Sequence, residues 1–311
     1  MAPGTEGWAP IPDNAFDPAL RFARYLPRAI VTPSTAGPLR RLTGLVGSVP
    51  PKGGDVVHVD DNVTVRVFRP RSARRSLPGL LFIHGGGYLI GSASMGDHLC
   101  RRVAEELGAV AASVEYRLAP RHPFPTPLED CYTGLRWLAD QPDVDATRIA
   151  IAGESAGGGL AAALALLARE RGEIRPAFQL LSYPMLDNRT GDRDYVDGRR
   201  LRVWSAASNR YGWRSYLGSA DFDDVPPLAV PARHEDLSGL PPAWIGVGTH
   251  DLFHDEDVAY AKRLSDAGVP CTLHVVPGAY HAFDMFESWS PTSRAYRREQ
   301  MRALAAALGA S

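Results

Sequence analysis

The chain has 311 residues, enough for one large α/β domain or two smaller ones, and its 45% hydrophobic and 22% charged content is ordinary for a globular protein. A formal net charge of −1 gives no electrostatic case for a nucleic-acid partner or an anionic membrane. Three scattered cysteines, Cys100, Cys131 and Cys271, form neither a disulfide framework nor a C-x-x-C pair, so no metal and no cofactor is expected.

Residues 1–50 are rich in proline, with scattered aromatics Trp8, Phe16, Phe22 and Tyr25. They read as short helices joined by turns. The opening residues lack a basic start followed by an apolar stretch, so no signal peptide is expected. The longest apolar stretch, residues 160–168, is too short to span a bilayer. A cytoplasmic protein with no membrane partner is the expectation.

From residue 56 the pattern changes. Two β-branched runs, 56–59 and 63–68, are separated by Asp60-Asp61-Asn62, a hairpin signal. Short apolar runs follow at 80–83, 110–114, 149–152, 178–183, 243–247 and 272–276. Near-continuous apolar runs fit strands buried on both faces. Helical patterns at 97–107, 127–139, 156–171 and 255–267 separate many of them, and 293–308 reads as a closing amphipathic helix. Strands alternating with helices predict a mostly parallel, eight-stranded sheet flanked by helices, entered by an antiparallel hairpin. Residues 187–235 interrupt this alternation with Arg, Asp, Trp and Tyr, then proline. A structureless loop of that length is uncommon, so a helical insertion is expected. The expected division is an N-terminal cap (1–50), a catalytic core (51–186 and 236–311) and a cap insertion (187–235).

Two short segments carry the chemistry. Gly153-Glu154-Ser155-Ala156-Gly157 lies between the strand 149–152 and the helix 156–171. Glycines on either side of Ser155 relieve crowding where a strand bends sharply into a helix, presenting the serine at the sheet's C-terminal edge. The Ala156 N–H sits at the helix start, where free donors and the helix dipole favour an anion. The plainer alternative is a tightly packed helix with Ser155 as its N-cap. About 70 residues earlier, His84-Gly85-Gly86-Gly87 follows a strand. Glycines there let a carbonyl approach backbone N–H groups that can stabilise a tetrahedral oxyanion. The alternatives are a simple Gly-rich turn or a phosphate loop, but no G-K-[ST] follows.

A serine nucleophile on such a strand–turn–helix takes its acid and its base from later in the chain. His281 follows a strand, whereas His274 lies within one and His234 in the insertion. Asp251 follows the strand 243–247 and precedes His281 by 30 residues. Asp255 and Glu256 open the next helix, where acidic residues are expected. The cluster His250-Asp251-Leu252-Phe253-His254-Asp255 is open to a metal-site reading, but it lacks soft ligands. Ser155, Asp251 and His281 are therefore the candidate triad, His281 moving the serine proton and Asp251 fixing its tautomer.

With these residues in place the chain resembles the bacterial hormone-sensitive-lipase-like esterases of the α/β-hydrolase fold. The matching segments, in order, are His84-Gly-Gly-Gly-Tyr88, Tyr116-Arg-Leu-Ala-Pro120, His122-Pro-Phe-Pro125, Gly153-Glu-Ser-Ala-Gly-Gly158, Asp251-x-x-x-Asp255-Glu256 and His281-Ala-Phe283. The resemblance implies the triad above and an oxyanion hole from the N–H groups of Gly86, Gly87 and Ala156. It implies a supporting loop from His84 and Gly85, and a helical cap from residues 1–50 and 187–235. The family often has Asp at the place of Glu154, Glu at Arg121, Pro-Leu at Leu252-Phe253 and Gly at Ala282; none of these departures removes a catalytic group. Related plant hormone receptors lose the catalytic histidine, and here His281 is present.

The expected function is a carboxylesterase acting on short- to medium-chain acyl esters, a small-molecule ester being its partner. A specialised amide, lactone or acetyl-metabolite hydrolase is one alternative, and a non-catalytic small-molecule receptor another. Trp204, Tyr211 and Trp213 are candidates for the pocket wall, against ordinary packing of the cap. Monomer and homodimer both fit.

Overall fold

The computed structural model describes residues 15–71, 76–191 and 198–309. Trp8 and the rest of residues 1–14 of the expected N-terminal cap, and residues 192–197 of the expected insertion, lie outside the described residues. The apolar runs form eight strands: β1 (Asp55–His58), β2 (Thr64–Phe68), β3 (Leu77–Ile83), β4 (Val110–Glu115), β5 (Val144–Glu154), β6 (Phe178–Ser182), β7 (Ala243–His250) and β8 (Cys271–Tyr280). They make one sheet in the order β1-β2-β4-β3-β5-β6-β7-β8. The hairpin β1–β2 and the β2–β4 pair are antiparallel, and the other five neighbouring pairs are parallel.

Eight helices accompany the sheet among the described residues: α1 (Ala36–Gly47), α2 (Asp97–Leu107), α3 (Thr126–Ala139), α4 (Ala156–Arg171), α5 (Ala206–Leu217), α6 (His254–Asp266), α7 (Phe283–Phe286) and α8 (Pro291–Leu308). Side chains alternate across the sheet with the strand period of two. On β5, Ile149 and Ile151 face the layer holding Leu135 of α3, Leu160 of α4 and Leu264 of α6. Ala150 and Ala152 face the opposite layer, with Val103 of α2 and Leu304 of α8. Both faces of β5 are therefore dry here, which is why 149–152 reads as a continuous apolar run.

The edges differ from the sequence expectation in instructive ways. β5 starts five residues before its apolar stretch, Val144 pairing with Leu77 ahead of a register shift, and β8 runs on to Tyr280, which pairs with His250. α7 was not expected; it is a single turn, too short to leave a periodic signal. α1 and α5 fall in the two segments expected to form the cap.

α1 is tied to the core by charged groups. Arg40 donates to the carbonyls of Leu89 and Ala119, both at 2.7 Å. Arg66 on β2 makes a two-pronged pair with Asp97 at 2.7 and 2.6 Å and also donates to Gly47 O and Val49 O, where α1 ends. Arg66 is buried, so removing it leaves a partly buried carboxylate and two carbonyls without their donor. Arg66→Ala is expected to cost about 3 kcal/mol in urea denaturation; a loss under about 0.5 kcal/mol would mean the pair is merely superficial.

Candidate active site

The β5–α4 corner places Ser155 at φ 55°, ψ −121°, a region that L-residues adopt under constraint. The constraint is visible in the neighbouring glycines. A Cβ on Gly153 would lie 2.1 Å from the Gly157 carbonyl oxygen. A Cβ on Gly157 would lie 2.1 Å from Ile83 O and 2.4 Å from His84 O. The turn is held by Ser155 N–H donating to Ser182 O at 2.9 Å, and by Ser155 O accepting from Gly159 and Met185 N–H.

Asp251 and His281 arrive from the next strands along the sheet. β7 ends at His250 and β8 at Tyr280, and these two residues are register partners, so Asp251 and His281 emerge side by side. His281 Nδ1–H donates to Asp251 Oδ2 at 2.8 Å. Ser155 Oγ–H donates to His281 Nε2 at 3.0 Å. The other Asp251 oxygen accepts from Phe253 N–H at 3.0 Å. Phe253 and Tyr183 meet the imidazole edge-on, with centroids 5.2 and 5.0 Å away, which restricts ring rotation. All three residues are buried.

The loop after β3 runs beside Ser155; a Cβ on Gly85 would lie 3.3 Å from that of the serine. Its peptide planes are pinned from behind. His84 Nδ1–H donates to Gly85 O at 2.8 Å, which turns the Gly86 N–H of the same trans peptide the opposite way. Leu89 and Ile90 N–H groups donate to Gly86 O, which does the same for the Gly87 N–H. Neither the Gly86 nor the Gly87 N–H has an acceptor among the described residues. Tyr116 stacks on the His84 ring at 4.2 Å and donates its hydroxyl to His84 O. Burial pushes the His84 imidazole down to about 4, so it is neutral at physiological pH, with its one proton on Nδ1.

A cavity of about 270 Å³ opens over Ser155 and His281. Its walls are mostly apolar: Ile30 and Val31 from the N-terminal segment, Met95, Val203, Trp204, and Met285 and Phe286 of α7. The Trp204 ring occupies the place that a Cβ on Gly87 would take, 2.1 Å from it.

A sequence profile described as the alpha/beta hydrolase fold matches residues 80–285, two thirds of the chain, a span that includes Gly85, Gly86, Gly87, Ser155, Asp251 and His281. The chain belongs to the α/β-hydrolase family. Within that family it falls among the hormone-sensitive-lipase-like esterases. Esterase LipI of Mycobacterium tuberculosis is 34% identical over 236 residues, 71% of each chain. Carboxylesterase NlhH of the same organism is 34% identical over 267 residues, 80% of each chain. Among solved structures, a bacterial heroin esterase superposes with a TM-score of 0.83 at 34% identity, covering 94% of this chain and 98% of that one.

This α/β-hydrolase thus brings Ser155, Asp251, His281, Gly85, Gly86 and Gly87 to one place, with Ala156 opening α4 beside them. Of the aromatics expected in the pocket wall, only Trp204 is there. Trp213 is fully buried against Tyr88 and Tyr216, and Tyr211 packs against the core, so both serve packing. Sequence reasoning missed Tyr183, which follows β6, and the α7 residues Met285 and Phe286. His254 turns to its neighbour Asp255 at 2.7 Å, while Asp251 is engaged with His281.

Glu154, next to the serine, also faces the cavity. Burial, reinforced by Asp284 and offset by Arg297, raises its carboxyl from 4.5 to about 8. Burial likewise raises Asp284, which accepts from the Tyr183 hydroxyl at 2.8 Å. The folded state holds the Glu154 proton to higher pH than the unfolded state, so it binds more protons and stability falls as pH climbs from about 4.5 toward about 8. Glu154→Gln removes that loss. Its Tm should exceed wild type by about 3 °C near pH 8.5 and match it near pH 4.5 in calorimetric scans. A pH-independent gap would show that packing, and not ionisation, separates the two.

Proposed function

We propose that this carboxylic ester hydrolase cleaves short- to medium-chain acyl esters through an acyl-enzyme on Ser155. The observation that carries the reading is His281 bridging Ser155 Oγ and Asp251 Oδ2 at 3.0 and 2.8 Å inside an apolar cavity. In this reading His281 Nε2 takes the serine proton as Oγ attacks the ester carbonyl. The carbonyl oxygen becomes an oxyanion facing the N–H groups of Gly86, Gly87 and Ala156. His281 then gives its proton to the leaving alcohol. Water repeats the sequence on the acyl-enzyme, losing a proton to His281 and releasing the acid as Oγ regains one. Asp251 keeps the Nδ1 proton in place and stabilises the imidazolium.

Size and lining support the substrate class. A cavity of about 270 Å³ with aliphatic and aromatic walls favours a compact apolar acyl group. The wall residues Ile30, Val31, Val203 and Trp204 come from the segments 1–50 and 187–235, which we assign as a cap on the core formed by 51–186 and 236–311.

The test is a p-nitrophenyl ester series, acetyl to long acyl, with wild type and Ser155→Ala in parallel. Turnover should peak at short or medium chains, and the variant should lose about 10⁴- to 10⁶-fold in kcat. Substantial activity left in Ser155→Ala would remove the acyl-enzyme. A second variant addresses the oxyanion loop. His84→Ala frees the Gly85–Gly86 peptide to flip, and kcat should drop about 10- to 100-fold with KM little changed. A KM effect alone would place His84 in ground-state binding.

A further inference from the structure

α1 lies on the core by one side only. Ala36, Arg40, Thr43 and Gly47 face inward, where the Thr43 hydroxyl accepts from Gly91 N–H at 3.2 Å and lines the cavity. The other side carries Leu42, Leu45 and Val46, spaced i, i+3 and i+4, and Val49 follows just past the helix end. That spacing ordinarily marks the side a helix buries. Here these residues are 57%, 69%, 55% and 60% exposed. Across the cavity mouth, Met285 of the wall is exposed, as is Trp289, whose ring meets the exposed Phe22 edge-on at 6.0 Å. Exposed large apolar side chains on α1, whose Thr43 lines the cavity, and on Met285 of the cavity wall mark an interaction surface.

Its charge says what it meets. Residues 15–52 contain six cations and one acid, although the whole chain carries −1. The acid, Asp17, is buried and engaged with Thr292 and Ala19. Arg21, Arg24, Arg28, Arg41 and Lys52 are exposed, and none has a carboxylate partner among the described residues. Exposed cations beside aliphatic and aromatic side chains match a surface of anionic headgroups over an apolar interior. A two-fold contact between copies of this chain would instead bring the same cations together.

We propose that this face docks on an anionic lipid bilayer. Leu42, Leu45, Val46 and Val49 enter the interface, and the arginines meet the headgroup phosphates. The cavity then opens onto the phase in which apolar esters concentrate. Net charge and composition hide the site, because the cations are offset by acids elsewhere in the chain and the direction of the α1 stripe is not written in its spacing. Docking is read by binding alone, so its failure would leave the esterase reading untouched.

The test is flotation of wild type with phosphatidylcholine vesicles, with and without phosphatidylglycerol. Wild type should float with the anionic vesicles only, and added salt should release it. Leu45→Glu/Val46→Glu should weaken partitioning at least about tenfold while leaving turnover of a soluble acetyl ester unchanged. Arg24→Glu/Arg28→Glu, which spares α1, should do the same and guards against misfolding of the first variant. Two results would overturn the proposal. One is no flotation of wild type with either vesicle. The other is a dimer by light scattering that Leu45→Glu/Val46→Glu dissolves, which would assign the face to a second copy.

Discussion

The contact between Gly157 and the carbonyls of Ile83 and His84 is the constraint on which the site depends. It presses the start of α4 against the end of β3, leaving no room for a side chain. That closeness forces Ser155 into its left-handed corner and also sets the loop after β3 directly beside it. Ser155, the proposed nucleophile, and the glycine N–H groups proposed as its donors come from segments about 70 residues apart. Here one close approach of main chain to main chain brings them together, so neither needs a separate device.

Several acids are buried in the same core. Glu256 accepts from Leu186 and Asp187 N–H groups, joining α6 to the chain leaving β6. Asp257, Asp284 and Glu154 are each raised by burial. Burial favours the uncharged form of each of these acids, and an uncharged carboxyl can donate a hydrogen bond as well as accept one.

Much of this was legible from the chain. α2 and α4 begin and end where their patterns do, because Gly108 and Gly172 take left-handed conformations that stop each helix. The eight apolar runs correspond to the eight strands; burial on both faces leaves an unbroken signal in β3 and β6, whereas the exposed β1 is legible from its β-branched residues and the turn that follows it. Ser155, Asp251 and His281 stood out because each follows a strand, and strand ends are where a parallel sheet delivers side chains to a common edge. What stayed hidden is orientation. Trp204 and Trp213 lie nine residues apart in the same segment, yet one lines the cavity and the other is core. The outward stripe of α1 has the spacing of an inward one. The shift at Glu154 comes from burial, reinforced by Asp284, a neighbour 130 residues away in the chain.

The pairing of His250 with Tyr280 has a consequence for how the chain tolerates changes in length. Strand side chains alternate, so one residue added within β8 would swing His281 to the opposite face of the sheet and away from Asp251. The turn at 267–270, between α6 and β8, carries no such phase, and residues gained there would be absorbed before the strand begins. Added length is therefore tolerable in that turn, whereas the length of β8 is fixed by the contact between His281 and Asp251 at its end.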